Sequence, residues 1–417
     1  MTEPDGAVAL AAGPRGRERV VRALRAWWQA HGPRVLLLAV GCMIAAAVWR
    51  LGNELPRLLW EQGGYGAFDL RLRHREVELW FSGQPIYNDV ERGDYPPASY
   101  VLLWPLLGWL SLASARLLWA LTTLAALYWL ARMAVRESTA VTRLQVLTVA
   151  LLPFSTYATS AAIRVGQIGN HVLPLLVAGV LVLYRRRGRW RDDLLAAMLL
   201  IPTLVKPTLT AACFWIVCFV PRRLRPIALI GLGYLALTFL AIGFQDGDLR
   251  NTLLGWLSEP PQVLSGHANV QKWLAVAGLG AWTMPASLVI LLLLAAWVHR
   301  HRGIDIWILL GVSALVGRLF IHHRLYDDML VLLPMITLFR IGRQGAQPDG
   351  RDVVAGLLFA ATWVTLHAPA SLLASPPPLP VVMEAGQSIV WVLVLLFLLG
   401  RARHERRVQK VVEAPAP

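Results

Sequence analysis

The stretch Tyr95-Pro96-Pro97-Ala98-Ser99-Tyr100-Val101-Leu102-Leu103-Trp104-Pro105-Leu106-Leu107-Gly108-Trp109-Leu110-Ser111-Leu112 decides how many times the chain crosses a membrane. Its apolar part, 98–112, is one of thirteen such runs. The others fall at about 35–53, 115–134, 142–161, 170–184, 193–205, 207–221, 227–244, 284–299, 304–321, 328–340, 352–368 and 385–400. If all thirteen cross, the short arginine-rich loops land on alternating sides, against the rule that cations collect on the cytoplasmic face. One run must therefore not cross. Residues 98–112 reach only ~22 Å at ~1.5 Å per residue, short of a ~30 Å hydrocarbon core. Proline in the first turn suits a helix start, and Pro105 interrupts the run. The segment is expected to be a helix lying at, or dipping into, the outer interface.

Twelve spans remain, and both termini fall in the cytoplasm. The expected organisation is a basic cytoplasmic tail over 1–34, one transmembrane domain over 35–400 and a second cytoplasmic tail over 401–417. Within the domain lie a first outer loop, 54–114, carrying the non-spanning helix 98–112, and a second outer loop, 245–283. The inner side then gathers Arg15 to Arg34, the Arg185 to Arg189 run, Arg222-Arg223, Arg300 and Arg302, Arg340 to Arg351 and the tail from Arg401. The runs 193–205 and 207–221 are short, but fusing them through Lys206-Pro207 would put the Arg185 and Arg222 clusters on opposite sides. A broken pair turning at Lys206 is expected, with irregular backbone lining a protein cavity.

Composition supports this reading. Of 417 residues 56% are apolar and 16% charged, where soluble domains average about a quarter charged. The net charge of +15 would suggest nucleic acid in a soluble protein. Here the cations sit in short clusters between apolar runs, so membrane lipids, and no nucleic acid, are the expected surroundings. Cys42, Cys213 and Cys218 lie in apolar stretches without disulfide or metal-ligand spacing. Arginines before an apolar run ending near Ala45-Ala46-Ala47 resemble a signal peptide, but the long basic tail favours an uncleaved first span. No internal repeat of the transporter kind is visible.

Ionisable and amide side chains are costly in membranes and tend to mark function. They collect at the outer helix ends: Asp69 to Glu76 with Arg71, then Gly83 to Tyr87, Arg164 to His171 with Gln167 and Asn170, Lys206, His267 to Lys272, and Arg318 to Asp328. Each has a structural reading. Asp69 could pair with Arg73 at helical spacing. Gln167 and Asn170 could hydrogen-bond across spans, and Lys206 could snorkel. Asp327 or Asp328 could cap the next helix. His322 and His323 point to different faces, so one would serve a site and the other the scaffold. Together they suit group transfer from an anionic, lipid-attached donor to a hydroxyl. A carboxylate would be the general base, and cations with a histidine would stabilise charge on a phosphate leaving group. No glycine-rich nucleotide loop, Asp-x-Asp or His-x-x-x-His element appears. Outer carboxylates could bind a divalent ion, but no spacing demands one and no cofactor is expected.

Asp69, Gly83-Gln84-Pro85-Ile86-Tyr87, Tyr95-Pro96-Pro97 with its apolar helix, Gly166-Gln167-Ile168-Gly169-Asn170, Lys206-Pro207 and His322 to Pro334 resemble, in that order, the polytopic bacterial glycosyltransferases of family 87. These include mannosyltransferases that extend phosphatidylinositol mannosides. The resemblance covers about 65–340. It implies a GT-C-type helical bundle with juxtamembrane helices and an acidic catalytic residue in the first outer loop. It also implies a polyprenyl-phosphate sugar donor, inversion at the anomeric carbon and a site facing away from the cytoplasm. Asp69 matches the position of the family's base. The family's usual Ser-Trp-Asp-His order is replaced by His322-His323-Arg324-Leu325-Tyr326-Asp327-Asp328, which leaves open which imidazole faces the donor phosphate.

The resulting expectation is an all-α polytopic protein of a bacterial cytoplasmic membrane, with about 12 transmembrane helices. It would transfer a hexose, mannose by resemblance, from a polyprenyl phosphate to a lipid or glycan hydroxyl on the outer side. Asp69 and His322 are the expected catalytic residues. Lys206, His323 and Arg324 would bind donor phosphate, with Gln167, Asn170, Tyr95 and Arg71 completing the donor site. The alternatives are a flippase or transporter of a lipid-linked saccharide, which would leave the glycosidic bond intact, and a non-catalytic membrane subunit.

Overall fold

The computed structural model describes residues 16–88, 91, 93–185, 188–245, 249–258, 267–347, 349–367, 376 and 378–413. Arg15, Arg186, Arg187 and the middle of the 245–283 loop lie outside these. Among the described residues every regular element is helical. In chain order they are α1 (Gly16–Trp60), α2 (Phe68–Phe81), α3 (Pro97–Leu107), α4 (Leu112–Glu137), α5 (Arg143–Ser155), α6 (Tyr157–Val165), α7 (Gly169–Arg185), α8 (Trp190–Leu200) and α9 (Pro207–Phe219). There follow α10 (Arg225–Ile242), α11 (Leu249–Ser258), α12 (Val270–Val276), α13 (Thr283–His301), α14 (Ile306–Phe320), α15 (Leu332–Arg343), α16 (Arg351–His367) and α17 (Leu379–Glu413). The protein is an all-α polytopic membrane protein.

Polar contacts sort the helix ends into two groups. At one end Arg25 pairs with Asp352 at 2.7 Å, Arg185 with Glu137, and Arg340 with Asp305 at 2.7 Å. The opposite end holds Glu54 with Arg164 at 2.6 Å, Asp69 with Gln167 at 2.8 Å, Lys206 with Asp327 at 2.7 Å and Lys272 with Glu384 at 2.7 Å. Between these ends the described residues make twelve passages: α1, α4, α5 with α6, α7, α8, α9, α10, α13, α14, α15, α16 and α17. Among the described residues six helical stretches are long and apolar enough to cross a bilayer: Glu18–Trp60, Leu112–Glu137, Arg143–Val165, Arg225–Ile242, Gly280–His301 and Leu379–Gln409. The remaining passages are shorter. Among them α14, apolar on every side, is buried at every residue from Ile306 to Leu319 and packs on α9, α15 and α17.

A helix stands where the non-spanning one is expected, but it ends early. Pro96 is extended, Pro97 occupies the first turn, and Gly108 closes α3 after 11 residues. The Ser111 side chain then accepts from Ser114 N and caps α4, so 109–111 form a turn instead of a last helical turn. At ~1.5 Å per residue α3 spans ~16 Å. It is packed inward: Tyr100 stacks on Trp80 of α2 at 4.7 Å, and Ser99 Oγ donates to Val205 O at 3.0 Å.

Lys206 lies at a break between two limbs. Residues Ile201–Val205 tighten into a 3₁₀ turn around Pro202, and Lys206 is drawn out of helical conformation (φ −126°, ψ 80°) ahead of Pro207, which starts α9. Both limbs return to the same end. Asp193, in the first turn of α8, pairs with Arg225 at 2.8 Å and accepts from Arg223 Nε at 3.1 Å, just past α9. Two expected boundaries shift. The basic N-terminal tail is helical from Gly16 and continuous with the first passage, and the same helix carries on through Pro56 to Trp60, into the expected first loop.

Candidate functional site

Asp69 occupies the first turn of α2 and is 9% exposed. Its Oδ2 accepts from Gln167 Nε2 at 2.8 Å, and its Oδ1 has no hydrogen bond among the described residues. The Gln167 carbonyl oxygen accepts from Tyr95 Oη at 3.2 Å and from the Ile168 amide at 2.9 Å, which fixes the orientation of its amide toward Asp69. The turn carrying Gln167 can approach α2 only because residue 166 is glycine. Its φ is +72°, and a Cβ there would lie 2.5 Å from Leu70 Cβ. Ala67 N donates to Arg164 O at 2.8 Å and ties the start of α2 to the same turn.

The expected local pair between Asp69 and Arg73 is not formed. Arg73 Nη1 instead meets Glu76 at 2.6 Å and Asp94 at 2.8 Å, and its guanidinium lies 4.0 Å over the Tyr95 ring. A buttress therefore runs from Glu76 through Arg73, Tyr95 and Gln167 to the Asp69 carboxylate. Burial pushes the Glu76 carboxyl up to about 7 against the pull of Arg73.

Lys206 Nζ binds Asp327 Oδ1 at 2.7 Å and sits 4.8 Å from the centre of the Tyr326 ring. Asp327 Oδ2 accepts from the Arg324 amide at 3.0 Å and meets His323 Nδ1 at 3.3 Å, so Asp327 organises the turn as well as the lysine. Burial raises the Asp69 carboxyl above the usual carboxylate range, opposed by Arg73, Lys206 and Arg324, whose charges lie close enough to act on it. Burial acts on Asp327 in the same sense, but Lys206 and the His323 hydrogen bond outweigh it and hold that carboxyl well below the usual range. Two carboxylates in one region thus have protonation tendencies driven apart, which is how a site separates a proton acceptor from a fixed charge.

The histidines divide as their adjacency implied. His323 is 1% exposed, and its carbonyl accepts from His267 N at 2.9 Å and Asn269 Nδ2 at 3.1 Å. His322 is partly exposed, and its Nδ1 has no partner among the described residues. Burial, then His323, Arg324 and Lys206, lower His322 to about 4. That favours the uncharged imidazole at neutral pH, with one ring N–H able to donate.

Two expected donor residues stand apart. Arg71 turns away from Asp69 and donates to Gln62 O at 2.7 Å and Gly64 O at 3.1 Å, stapling the chain ahead of α2. Residues two apart on a helix do not share a face. Asn170 is fully buried at the start of α7, with both amide atoms unpartnered among the described residues. Tyr326, Asp94 and Glu76 join the cluster without having been singled out. Tyr326 lay inside the histidine-containing run, whereas nothing in the sequence signals the pairing of Arg73 with Asp94.

Asp328 serves the scaffold. It pairs with fully buried Arg318 and accepts from Tyr157 Oη, and Arg318 Nη2 donates to His267 O at 2.7 Å. Among the described residues no three His, Cys, Asp or Glu side chains are placed to share a metal ion.

A multi-pass helical protein with a buried carboxylate, an orienting amide and fixed cations at one end has the makings of a membrane transferase. The sequence model of glycosyltransferase family 87 matches residues 94–338, more than half of the chain. The chain belongs to glycosyltransferase family 87 and is a membrane glycosyltransferase. The match contains Tyr95, Gln167, Asn170, Lys206, His322, His323 and Arg324. Asp69 and Arg71 precede it. No curated protein and no solved structure matches the chain.

Proposed function

We propose that the protein transfers a hexose, with mannose the first sugar to test, from a polyprenyl phosphate to a lipid or glycan hydroxyl at the outer face of a bacterial cytoplasmic membrane. The observation that carries this reading is Asp69 itself. One carboxylate oxygen is held by Gln167, the other makes no hydrogen bond to a described residue, and burial raises the carboxylate's proton affinity. In the proposed reaction Asp69 Oδ1 takes the proton of the acceptor hydroxyl as its oxygen bonds to the sugar's anomeric carbon. The bond from that carbon to the donor phosphate oxygen breaks, with inversion, and prenyl phosphate leaves. Lys206 and Arg324 stabilise the leaving phosphate, with Asp327 fixing the lysine's position. His322 donates a hydrogen bond as neutral imidazole. Arg71 has no part in it, and Asn170 acts on the donor only if the sugar reaches its buried amide.

The test is incubation of the purified full chain with synthetic prenyl-phosphate mannose, glucose or arabinose and a lipid-extract acceptor, with and without chelator. Transfer of one sugar, with release of prenyl phosphate, supports the reading. Movement of the lipid across a vesicle with its glycosidic bond intact supports a flippase instead, and the proposal fails.

A further inference from the structure

At the end of the molecule opposite the candidate site, several cations find carboxylates: Arg25 with Asp352, Arg185 with Glu137, Arg223 and Arg225 with Asp193, Arg340 with Asp305, and Arg401 with Glu405. One concave region gathers arginines and histidines as its only charged or titratable lining. A cavity of about 680 Å³ opens between the ends of α13 and α17 and is lined by Arg222, His299, Arg300, His301, Arg302 and Arg406 with a few neutral residues. An adjoining hollow of about 590 Å³ adds Arg403 and Arg407. No carboxylate lines either hollow. The side chains of Arg222, Arg300, Arg403, Arg406 and Arg407 make no hydrogen bond or ion pair with any described residue.

So many like charges around one concave surface repel each other, and the arrangement is relieved by an anion. The form of the anion follows from what borders the cleft. Leu288, Val289, Leu292 and Leu293 are between 53% and 65% exposed along α13, an apolar stripe that ends at the arginines. Because α13 crosses the bilayer, that stripe lies among acyl chains that run up to the arginines. An anionic headgroup carried on such chains reaches the cations without leaving the bilayer.

We propose that this cleft seats the phosphate headgroup of an anionic phospholipid from the surrounding bilayer, with its acyl chains along α13. Basic hollows between membrane helices suit such headgroups, since guanidinium groups bind phosphate oxygens in pairs and each cation near a charged membrane surface adds to affinity. The site is separate from the chemistry assigned to Asp69, and the inference does not depend on it.

The test uses the full chain in nanodiscs of phosphatidylcholine doped with phosphatidylglycerol, followed by mild delipidation and native mass spectrometry. The wild type is expected to retain phosphatidylglycerol in preference to phosphatidylcholine. Arg300→Gln/Arg406→Gln is expected to lose that retention by roughly fivefold per arginine removed. Arg136→Gln/Arg143→Gln, which removes the same charge from exposed positions elsewhere, is expected to retain the lipid. The two single variants, Arg300→Gln and Arg406→Gln, repeat the measurement if the double variant fails to fold. Equal loss in the two double variants would mean diffuse charge attraction and would overturn the proposal. So would displacement of the lipid by millimolar inorganic phosphate irrespective of acyl chain length, which would make the cleft a free-phosphate site.

Discussion

The protonation state of Asp69 is set by a balance. Burial favours the neutral acid, while the Gln167 amide and the nearby Arg73, Lys206 and Arg324 favour the carboxylate. A base must be ionised to work, so transfer should rise with pH through the Asp69 pKa, on an acid limb lying above that of an ordinary aspartate. Gln167→Ala removes a hydrogen bond made to the charged form. It should therefore move the acid limb of kcat/KM to still higher pH, with a loss of about tenfold or more at a fixed mildly acidic pH. An unmoved limb would mean that Asp69 is not the group being titrated. Gln167 was visible in the sequence only as an amide among others. Its partner was 98 positions away, and only the fold supplies the tyrosine that aims it.

At the scale of elements, the site depends on how closely the 166–167 turn approaches α2. Gly166→Ala would place a methyl group against Leu70 at a backbone angle that disfavours any side chain. The strain alone costs about 1–2 kcal/mol, and the clash adds to it. Gly278 has a similar φ of +78°, but a methyl group there would meet nothing within 4 Å, so Gly278→Ala isolates the backbone cost. The expected result is a lower Tm for both in detergent, a larger drop for the 166 variant, and loss of transfer in that variant alone. The elements themselves were largely legible. Proline marked the start of α3 and the break at Lys206, and the orientation rule required the second to turn back, as the Asp193 pairs now do. The end of α3 was misplaced because Gly108 and the Ser111 cap stop the helix while the apolar run continues. Hydropathy carries no signal there.

For the whole molecule, two polar ends separated by apolar passages imply that one end faces each side of the membrane. On the proposed orientation, which the arginine-rich loops favour, the end with Arg25, Arg185 and Arg340 faces the cytoplasm. Gln84 is exposed near α2 and Gln344 at the opposite end. With the three native cysteines replaced, Gln84→Cys should react with a membrane-impermeant thiol reagent in intact cells whose outer barrier has been opened. Gln344→Cys should react only after lysis. The reverse pattern would place the chemistry on the cytoplasmic side. The expected sidedness rests on loop composition, which the sequence carries directly. The joining of 69, 167, 206 and 324 into one cluster was inferable only from their sharing an end, since sequence gives no distances across a bundle.

The account stands or falls on Asp69 as the base, and Asp69 lies outside the residues matched by the family model. The most direct test compares wild type and Asp69→Asn in single-turnover transfer from the prenyl-phosphate sugar that the wild type accepts, alongside equilibrium donor binding. Loss of transfer by a factor of about 10²–10⁴ with donor binding within a few-fold of wild type is the predicted result. Transfer at a near-normal rate, with the same acid limb as the wild type, would contradict it.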